Sequence, residues 1–166
     1  MLIRRLEASD AAAFLAVRLE ALQLCPTAFG ASVEEEVDTP LETLQANLAP
    51  DSGRYRFGAF DGEQLVGIIG LGREAALKLR HRAYLIAVYV TATHRGQGIG
   101  RALAEHALAF ASSMPGLLQI TLDVTDGNDA AQSLYASLGF TVYGRMPCAM
   151  LVDGQAYDQI LMARPQ

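Results

Sequence analysis

Apolar and polar positions divide the chain into short strands and amphipathic helices. Strands are predicted where apolar and β-branched residues run together or alternate with polar ones, and helices where apolar residues recur at helical spacing. The predicted strands are residues 2–6, 54–60, 65–72, 85–90, 117–124, 140–152 and 155–162. The predicted helices are residues 11–22, 40–48, 99–110 and 129–138. This order predicts a mixed α/β fold, with one twisted mixed sheet of about seven strands flanked by about four helices.

Cap and turn residues mark where several of these elements begin and end. Ser9-Asp10 precedes the first helix as a cap, and Thr39-Pro40 places a cap and a first-turn proline at the second. Asp61-Gly62 and Asp153-Gly154 are typical of β-hairpin turns. The predicted loops include residues 50–53 and residues 29–38, which carry three consecutive glutamates.

A glycine-rich stretch joins the fourth predicted strand to the helix that follows it. The sequence Arg95-Gly96-Gln97-Gly98-Ile99-Gly100 holds three glycines in five residues. Glycine lowers the stability of a helix start, so three of them indicate a backbone that approaches a ligand closely. A helix N-terminus presents unpaired N–H groups and a partial positive charge, and Arg95 and Arg101 add full charges of the same sign. The stretch therefore predicts a phosphate-binding loop.

The spacing of the glycines decides which kind of phosphate-binding loop is predicted. The dinucleotide pattern G-x-G-x-x-G places Arg101 or Leu103 where its last glycine belongs, so it does not match. The nucleoside-triphosphate pattern needs Lys after its last glycine, whereas Arg101 follows Gly100. The pattern that does match is R-x-x-G-x-G, formed by Arg95, Gly98 and Gly100.

A second motif follows the fifth predicted strand. Residues 128–140 have the form N-x-x-A-x-x-L-Y-x-x-x-G-F. Together with the R-x-x-G-x-G loop, this motif resembles the two signatures of the GNAT superfamily of N-acetyltransferases, in the same order. The resemblance covers the whole order of elements and implies a GNAT-like acyl-CoA N-acyltransferase fold, with residues 1–166 as a single domain. It also implies an acetyl-CoA-dependent enzyme that transfers an acetyl group to a primary amine by direct attack in a ternary complex.

The resemblance further implies which residues bind the coenzyme and assist the chemistry. Backbone groups of Val88, Tyr89 and Val90 would contact the pantetheine arm, and an amide near the thioester would polarise its carbonyl. Asn128 would contact the same arm, and Tyr135 would face the coenzyme sulfur as proton donor to the departing thiolate. The pyrophosphate would be held by Arg95, Gly96, Gln97, Gly98, Ile99, Gly100 and Arg101.

The general base is not evident from the sequence. Many members of the superfamily carry a carboxylate on the central strand, but residues 84–90 of this chain include no Asp or Glu. An amine attacks only as the free base, so a proton acceptor is required. The candidates are Glu34, Glu35 or Glu36, Asp123 at the end of its strand, or a water chain that ends in bulk solvent.

The acceptor is predicted only as a small-molecule or peptide amine, because one scaffold serves many acceptors. Residues 26–51 are predicted to shape its site, with Glu34, Glu35 and Arg73 as candidate binding residues.

Two alternatives to the predicted N-acetyltransferase activity stay open. One is transfer of another acyl group, or transfer to a hydroxyl. The other is a CoA-binding sensor or interaction module without catalysis, which the missing strand carboxylate favours.

Composition and charge limit the partners and the compartment. The net charge of −5 predicts no broad basic face for nucleic acid or for an anionic membrane. No apolar run of membrane-spanning length and no signal-peptide pattern is present in the sequence. Cys25 and Cys148 lack a partner motif and the histidines lack metal-ligand spacing, so a reducing cytoplasm and no metal are predicted. A homodimer is predicted from the general frequency of such assemblies.

Overall fold

The computed structural model describes residues 1–50 and 54–166, which contain the strands and helices of one mixed fold. The strands are β1 (Leu2–Arg5), β2 (Arg54–Asp61), β3 (Gln64–Arg73), β4 (Arg82–Val90), β5 (Gln119–Thr125), β6 (Thr141–Val152) and β7 (Gln155–Pro165). The helices are α1 (Ala11–Leu24), α2 (Val33–Glu36), α3 (Leu41–Leu48), α4 (Ile99–Ser112) and α5 (Asp129–Ser137). Of the predicted loop 50–53, residues 51–53 lie outside the described residues.

The strands form one mixed sheet in the order β1-β2-β3-β4-β5-β7-β6. Neighbouring strands are antiparallel, except that β4 and β5 run parallel. A parallel pair cannot be joined by a tight turn, and α4 makes the crossover between these two strands. The prediction of a mixed sheet of about seven strands with helices on its faces is confirmed.

β4 and β5 separate soon after they begin to pair. Their register covers only residues 82–84 against residues 119–121. β4 then continues to Val90 and β5 to Thr125 with no pairs between them. A bulge in β4 accompanies the separation, since its register against β3 shifts and Ala87 has a φ of 55°. The diverging strands therefore leave a gap in the middle of the sheet.

Helices cover both faces of the sheet and bury two apolar clusters. α1 and α3 lie on one face, called the α1–α3 face below, where Phe14, Val17 and Leu44 pack against Phe60 and Ile68. α4 lies on the opposite face, and its buried residues are Ile99, Leu103, Ala104, Ala107, Leu108 and Ala111. Successive strand residues alternate between these faces, and β2, β3 and β4 contribute to both clusters, whereas β5 and β7 contribute only to the cluster beneath α4.

The structure differs from the predicted loops and caps at three places. Thr39 was predicted to cap the second helix, but Pro40 occupies the N-cap position of α3 and no side chain caps it. Residues 29–38 were predicted as a loop, but they contain the one-turn helix α2. Its start is stabilised by a capping box, in which Ser32 and Glu35 satisfy each other's backbone N–H groups. The predicted cap Asp10 makes no side-chain bond to α1. Its carboxylate instead accepts from the backbone N–H of Glu7 at 2.8 Å and from Arg4 at 2.7 Å, which stabilises a short 3₁₀ turn ahead of the helix.

Two features are absent from residues 1–50 and 54–166. No helix in this part of the chain is both long and apolar enough to cross a lipid bilayer. Likewise, no three or more His, Cys, Asp or Glu side chains in these residues are grouped so that they could hold a metal ion.

Truncation of Leu103 tests the packing of α4 on the sheet. Leu103 is fully buried, so Leu103→Ala should lower the free energy of unfolding by about 3 kcal/mol, through lost burial and a residual cavity. Leu77→Ala is the matched control, because Leu77 is 76% exposed and its truncation should cost less than about 0.5 kcal/mol. Urea unfolding followed by circular dichroism measures both. Equal effects of the two variants would contradict the assignment of Leu103 to the core.

Candidate active site

The start of α4 is an uncapped, positively polarised helix end. Gly98 occupies the N-cap position with a φ of 78°, and no side chain caps the helix. Glycine adopts this left-handed backbone without strain. A Cβ at Gly96 or Gly98 would meet no atom within 4 Å, so the space beside the loop is open. Gln97 is exposed and Ile99 is buried beneath the loop. The free N–H groups can therefore receive phosphate oxygens.

Arg95 and Arg101 flank this loop and tie it to neighbouring elements. The Nε of Arg95 donates to the carbonyl oxygen of Val90 at 3.0 Å, and its Nη2 lies 3.6 Å from the Sγ of Cys25. The Nη2 of Arg101 donates to the Oγ of Ser137 at 2.5 Å. Both arginines place a positive charge beside the open helix end, which strengthens its attraction for an anion.

The gap between β4 and β5 encloses a cavity of about 90 Å³. It is lined by residues 85–88 of β4, residues 122–125 of β5, and Asn128, Ala131 and Tyr135 at the start and inner face of α5. α4 begins beside this gap, since a Cβ at Gly100 would lie 3.9 Å from side-chain atoms of Val90 and Leu134. The open helix end and the gap are therefore neighbouring parts of one site.

Tyr135 lines the cavity from α5. The residue is only 6% exposed, and its ring packs edge-on against Phe140 with 5.8 Å between the ring centres. Burial raises the pKa of the Tyr135 phenol to about 12. The hydroxyl therefore stays protonated at neutral pH and is available as a donor.

Asn128 and Tyr89 each make a structural contact near the same cavity. The Oδ1 of Asn128 accepts from the backbone N–H of Ala131 at 3.2 Å, so this side chain caps α5 as predicted. The hydroxyl of Tyr89 donates to the Oε1 of Glu20 at 2.8 Å. Burial and this bond raise the pKa of Tyr89 to about 12. The ring of Tyr89 is part of the apolar cluster on the α1–α3 face, so β4 presents backbone and Val88 to the gap.

A larger cleft of about 450 Å³ opens on the α1–α3 face and joins the gap. The cleft and the gap share Ala28, Phe29, Leu85, Ile86, Ala87 and Asp123. Residues of α1, α2, α3 and β2, together with Gly30, Thr39 and Gln159 of β7, form the remaining walls. The volume lies within the range of sites for small organic molecules.

Asp123 stands where the cleft meets the gap, since it lines both. It lies two residues beyond Thr121, the partner of Tyr84, so its position in β5 corresponds to that of Ile86 in β4. Desolvation raises the pKa of the Asp123 carboxyl above its ordinary value. A more basic carboxylate accepts a proton more readily near neutral pH.

An ion pair between α1 and α2 forms part of the cleft wall. The Nη2 and Nε of Arg18 donate to the two carboxylate oxygens of Glu36 at 2.8 and 3.0 Å. The guanidinium lies over the ring of Phe29, 5.1 Å from its centre. The side chain of Arg18 is only 11% exposed, and its Nη1 is buried with no hydrogen-bond partner among the described residues. A buried donor left unpaired costs about 1–3 kcal/mol, and because this nitrogen is closed to solvent it is not available to a molecule in the cleft.

Arg56 extends from β2 over the neighbouring strand into the cleft. It is paired with Gly70 of β3, which is paired in turn with Ile86 of β4. A Cβ at Gly70 would lie 2.7 Å from the Nη1 of Arg56 and 2.9 Å from the Cγ1 of Ile86. Glycine therefore leaves the room in which the guanidinium lies above β3. Burial and the nearby arginines hold the pKa of Arg56 below its ordinary value.

The three acceptor residues predicted from the sequence line neither the cleft nor the gap. Glu34 and Glu35 are exposed on α2, and Glu35 accepts from the backbone N–H of Ser32 at 2.7 Å. Arg73 donates to two backbone carbonyls, at 2.5 and 2.7 Å. Of the acidic run, only Glu36 reaches the cleft wall.

Sequence reasoning missed Arg18 and Arg56 as cleft residues. A signal for Arg18 was available, because it follows Phe14 by four residues and precedes Leu22 by four, which places it on the buried face of α1. The signal for Arg56 is the glycine beside it on β3, which can be recognised only when the register of the two strands is known.

The geometry fits the acetyl-CoA that the sequence resemblance implies. The uncapped helix end at Gly98 suits a pyrophosphate, because free N–H groups and open space coincide there. The gap between β4 and β5 is a narrow slot for an extended arm. That slot ends at a wider cleft, beside a buried phenol and a carboxylate of raised pKa.

Comparison with curated proteins relates the chain to N-acetyltransferases. The chain is 30% identical over 120 residues to N-acetyltransferase 8B of Rattus norvegicus, a match that covers 72% of this chain and 54% of that protein. It is 33% identical over 105 residues to a peptidyl-lysine N-acetyltransferase of Salmonella typhimurium, covering 63% of this chain and 61% of the relative. The match therefore spans between half and two thirds of the length of these relatives.

Comparison with solved structures and family models agrees with this relation. A Salmonella typhimurium protein, whose structure is described with its cofactor acetyl-CoA, superposes with a TM-score of 0.85 at 25% identity. That superposition covers 99% of this chain and 93% of the other. A model described as the acetyltransferase (GNAT) family matches residues 18–140, which include both sequence motifs. The chain therefore belongs to the GNAT family of acetyltransferases.

Proposed function

We propose that the protein is an acetyl-CoA-dependent N-acetyltransferase that acetylates a primary amine by direct attack in a ternary complex. The observation that carries the proposal is the gap between β4 and β5. At one edge of this gap lies the uncapped start of α4, and on the α1–α3 face it joins a cleft that contains Asp123. One molecule can thus occupy the gap while a second enters from the cleft.

The residues that would hold the coenzyme surround the gap. Residues 95–101 would bind the pyrophosphate at the start of α4, and Asn128 and the backbone of residues 88–90 would contact the pantetheine arm. Between residues 85 and 90, β4 has no β5 partner, so its backbone groups on that side are available to an extended ligand. When bound, acetyl-CoA supplies a thioester carbonyl that is activated toward attack by an amine.

The bulge at Ala87 positions the group that would polarise this carbonyl. Ala87 has a φ of 55°, an uncommon backbone for a residue with a side chain, and it lines both the gap and the cleft. Bulges reorient the peptide groups that follow them. A backbone N–H near Ala87 and Val88 would therefore donate to the carbonyl oxygen as negative charge develops there.

Asp123 would serve as the general base. β4 carries no carboxylate, but Asp123 on β5 lies across the gap at the level of Ile86, where the cleft and gap meet. Its raised pKa improves it as a proton acceptor for the incoming amine, directly or through a water molecule. Glu36 also lines the cleft, but its carboxylate is occupied by Arg18, which leaves it less suited to this role.

Tyr135 would donate a proton or hydrogen bond to the departing sulfur. Its hydroxyl is protonated throughout the neutral range, because burial raises its pKa to about 12. Its position on the α5 wall of the gap is opposite the backbone of β4. The base and the donor would therefore act from different elements on either side of the reacting carbonyl.

We propose a cytoplasmic location and a homodimer as the working state. Cys25 and Cys148 are both free thiols, which supports a reducing compartment.

The edge strand β6 exposes Val142, Tyr143 and Leu151, and exposed apolar residues on an edge strand are typical of an association surface.

Substitution of Gly98 tests the coenzyme site. Gly98→Glu should weaken acetyl-CoA binding roughly a hundredfold, because it places a negative charge at the uncapped helix end and a side chain on a left-handed backbone. Isothermal titration calorimetry measures the affinity. Gly116→Glu is the matched control, since Gly116 has a φ of 70° and open space but lies at the far end of α4. Unchanged affinity in Gly98→Glu would contradict the placement of the coenzyme.

Substitution of Asp123 tests the base. In the wild type, kcat should fall as pH drops through the raised pKa of Asp123, because the carboxyl then becomes protonated. Asp123→Asn should lower kcat by roughly 10²–10⁴-fold and remove this dependence on pH. Thiol release followed from about pH 5, which is above the ordinary pKa of an aspartate, to about pH 9 measures both. Asp153→Asn, at the exposed β6–β7 turn, is the control. If kcat of Asp123→Asn still falls at low pH as in the wild type, Asp123 is not the general base.

Substitution of Tyr135 separates an enzyme from a coenzyme-binding sensor. Tyr135→Phe should reduce kcat by roughly a hundredfold while acetyl-CoA affinity changes less than about twofold, since only the donor is removed. Tyr143→Phe, at an exposed position on β6, should leave both quantities unchanged. An undiminished kcat in Tyr135→Phe would rule out the donor role. Coenzyme binding by a wild type that releases no thiol with any amine would favour the sensor.

A further inference from the structure

The acceptor cleft is lined by charged side chains of both signs, in a protein whose net charge is −5. Its charged lining consists of Arg18, Arg54 and Arg56 against Glu36 and Asp123. Arg18 and Glu36 compensate each other through their bidentate ion pair. The remaining charged side chains are those of Arg54 and Arg56 on β2 and of Asp123, which is proposed as the base.

Arg56 is a cation of this cleft whose surroundings, taken together, disfavour its charge, although Tyr84 and Glu36 favour it. Its Nη1 donates to the carbonyl oxygen of Tyr55 at 3.3 Å, and no carboxylate among the described residues forms an ion pair with it. Burial, Arg54 and Arg18 all disfavour its charged form and hold its pKa below the ordinary value. A bound anion would reverse this effect, because it would neutralise the charge and accept bidentate hydrogen bonds.

Arg56 and Asp123 lie on one line across the sheet. Arg56 pairs with Gly70, Gly70 pairs with Ile86, and Asp123 occupies the position in β5 that corresponds to Ile86. The guanidinium lies above β3, because its Nη1 would be 2.7 Å from a Cβ at Gly70. Two ordinary strand spacings of about 4.8 Å would place β5 about 10 Å from β3, and the gap between β4 and β5 makes the separation larger than this.

This spacing suits a small molecule with two ends of opposite charge. A ligand that makes one hydrogen bond of about 2.8 Å to Arg56 and another to Asp123 would span the remaining distance. Its anionic group and its amino nitrogen would then be a few covalent bonds apart. The other walls include the apolar side chains of Phe14, Leu44 and Leu48, which can contact an aliphatic or aromatic substituent. Polyamines do not fit this arrangement, since they would place a second cation beside Arg56.

We infer that the acceptor is an amine with a carboxylate a few bonds from its nitrogen, as in an amino acid, and that Arg56 is the residue that selects it. The carboxylate would lie on Arg56, and the amine would face Asp123. This inference rests on the proposed acetyltransferase function and specifies its acceptor.

A matched acceptor panel tests the inference on the intact protein. Leucine, leucinamide and isopentylamine form one series, and phenylalanine, phenylalaninamide and phenethylamine form the other. Within each series only the carboxylate is altered or removed. Thiol release from acetyl-CoA should show a kcat/KM for the amino acid roughly a hundredfold above that of its carboxylate-free partners, because a buried cation rejects a ligand that leaves it unpaired. Equal or better use of the carboxylate-free amines, or no use of either amino acid, would overturn the inference.

Variants of Arg56 assign the preference to this residue. Arg56→Gln should raise the KM for the amino acid by roughly tenfold or more, with little change in kcat, and should bring the preference close to unity. Arg56→Lys should retain part of the preference, since it keeps the charge but loses the bidentate geometry. Arg80→Gln, at an exposed position outside the cleft, should behave as the wild type. An unchanged preference in Arg56→Gln would overturn the role of Arg56.

Gly70→Ala displaces the guanidinium without removing its charge. The added methyl group would lie 2.7 Å from the Nη1 of Arg56, so the guanidinium must move and the preference for a carboxylate should fall. A purely electrostatic effect at a distance would leave the preference intact, which would contradict the proposed contact. Circular dichroism of each variant confirms that it is folded before its kinetics are compared.

Acetyl-CoA binding keeps the two hypotheses distinguishable. Calorimetry with acetyl-CoA alone does not depend on the acceptor. Failure to bind it would refute the proposed function itself. Binding together with thiol release toward carboxylate-free amines would preserve the proposed function and refute only the carboxylate-bearing acceptor.

Discussion

The separation of β4 from β5 after a short stretch of pairing is the constraint on which the site depends. Parallel strands normally continue their hydrogen bonds, but here pairing ends at Tyr84 and Thr121. Beyond these residues the facing edges of both strands need partners, because backbone polar groups are costly to leave unpaired. The bulge at Ala87 and the clusters beneath each face hold the strands apart, so the slot is part of the folded structure before any ligand arrives.

Burial disfavours the charged form of the titratable groups around the slot and the cleft. It therefore raises the pKa of groups that ionise to an anion and lowers the pKa of groups that carry a cation. Desolvation raises the pKa of Asp123 and of Tyr135, which favours a basic carboxylate and a protonated phenol. It lowers the pKa of Arg56, whose charge is costly unless an anion joins it. The groups proposed as base, proton donor and anion-binding residue thus share one physical effect, distributed over three elements of the fold.

The sequence by itself determined the features that depend on local chain chemistry. Gly98 must adopt a left-handed backbone at the start of α4, and Asn128 must cap α5; both are encoded within a few residues. The apolar periodicity of the long elements predicted the strands and helices of a mixed sheet for the same reason. The helix α2 was also encoded locally, in the Ser32–Glu35 capping box, but the acidic run obscured it.

Only the tertiary structure decided which distant side chains share the cleft. Arg56 lies above β3 because the register places Gly70 beside it, and no pattern within β2 contains that information. Arg18 meets Glu36 because α2 folds back on α1, and Asp123 reaches the end of the gap because β5 diverges from β4. Strand register and divergence are long-range properties, set by the packing of whole elements. The glycine-rich start of α4 could therefore be predicted from the sequence, whereas the set of charged residues in the cleft could not.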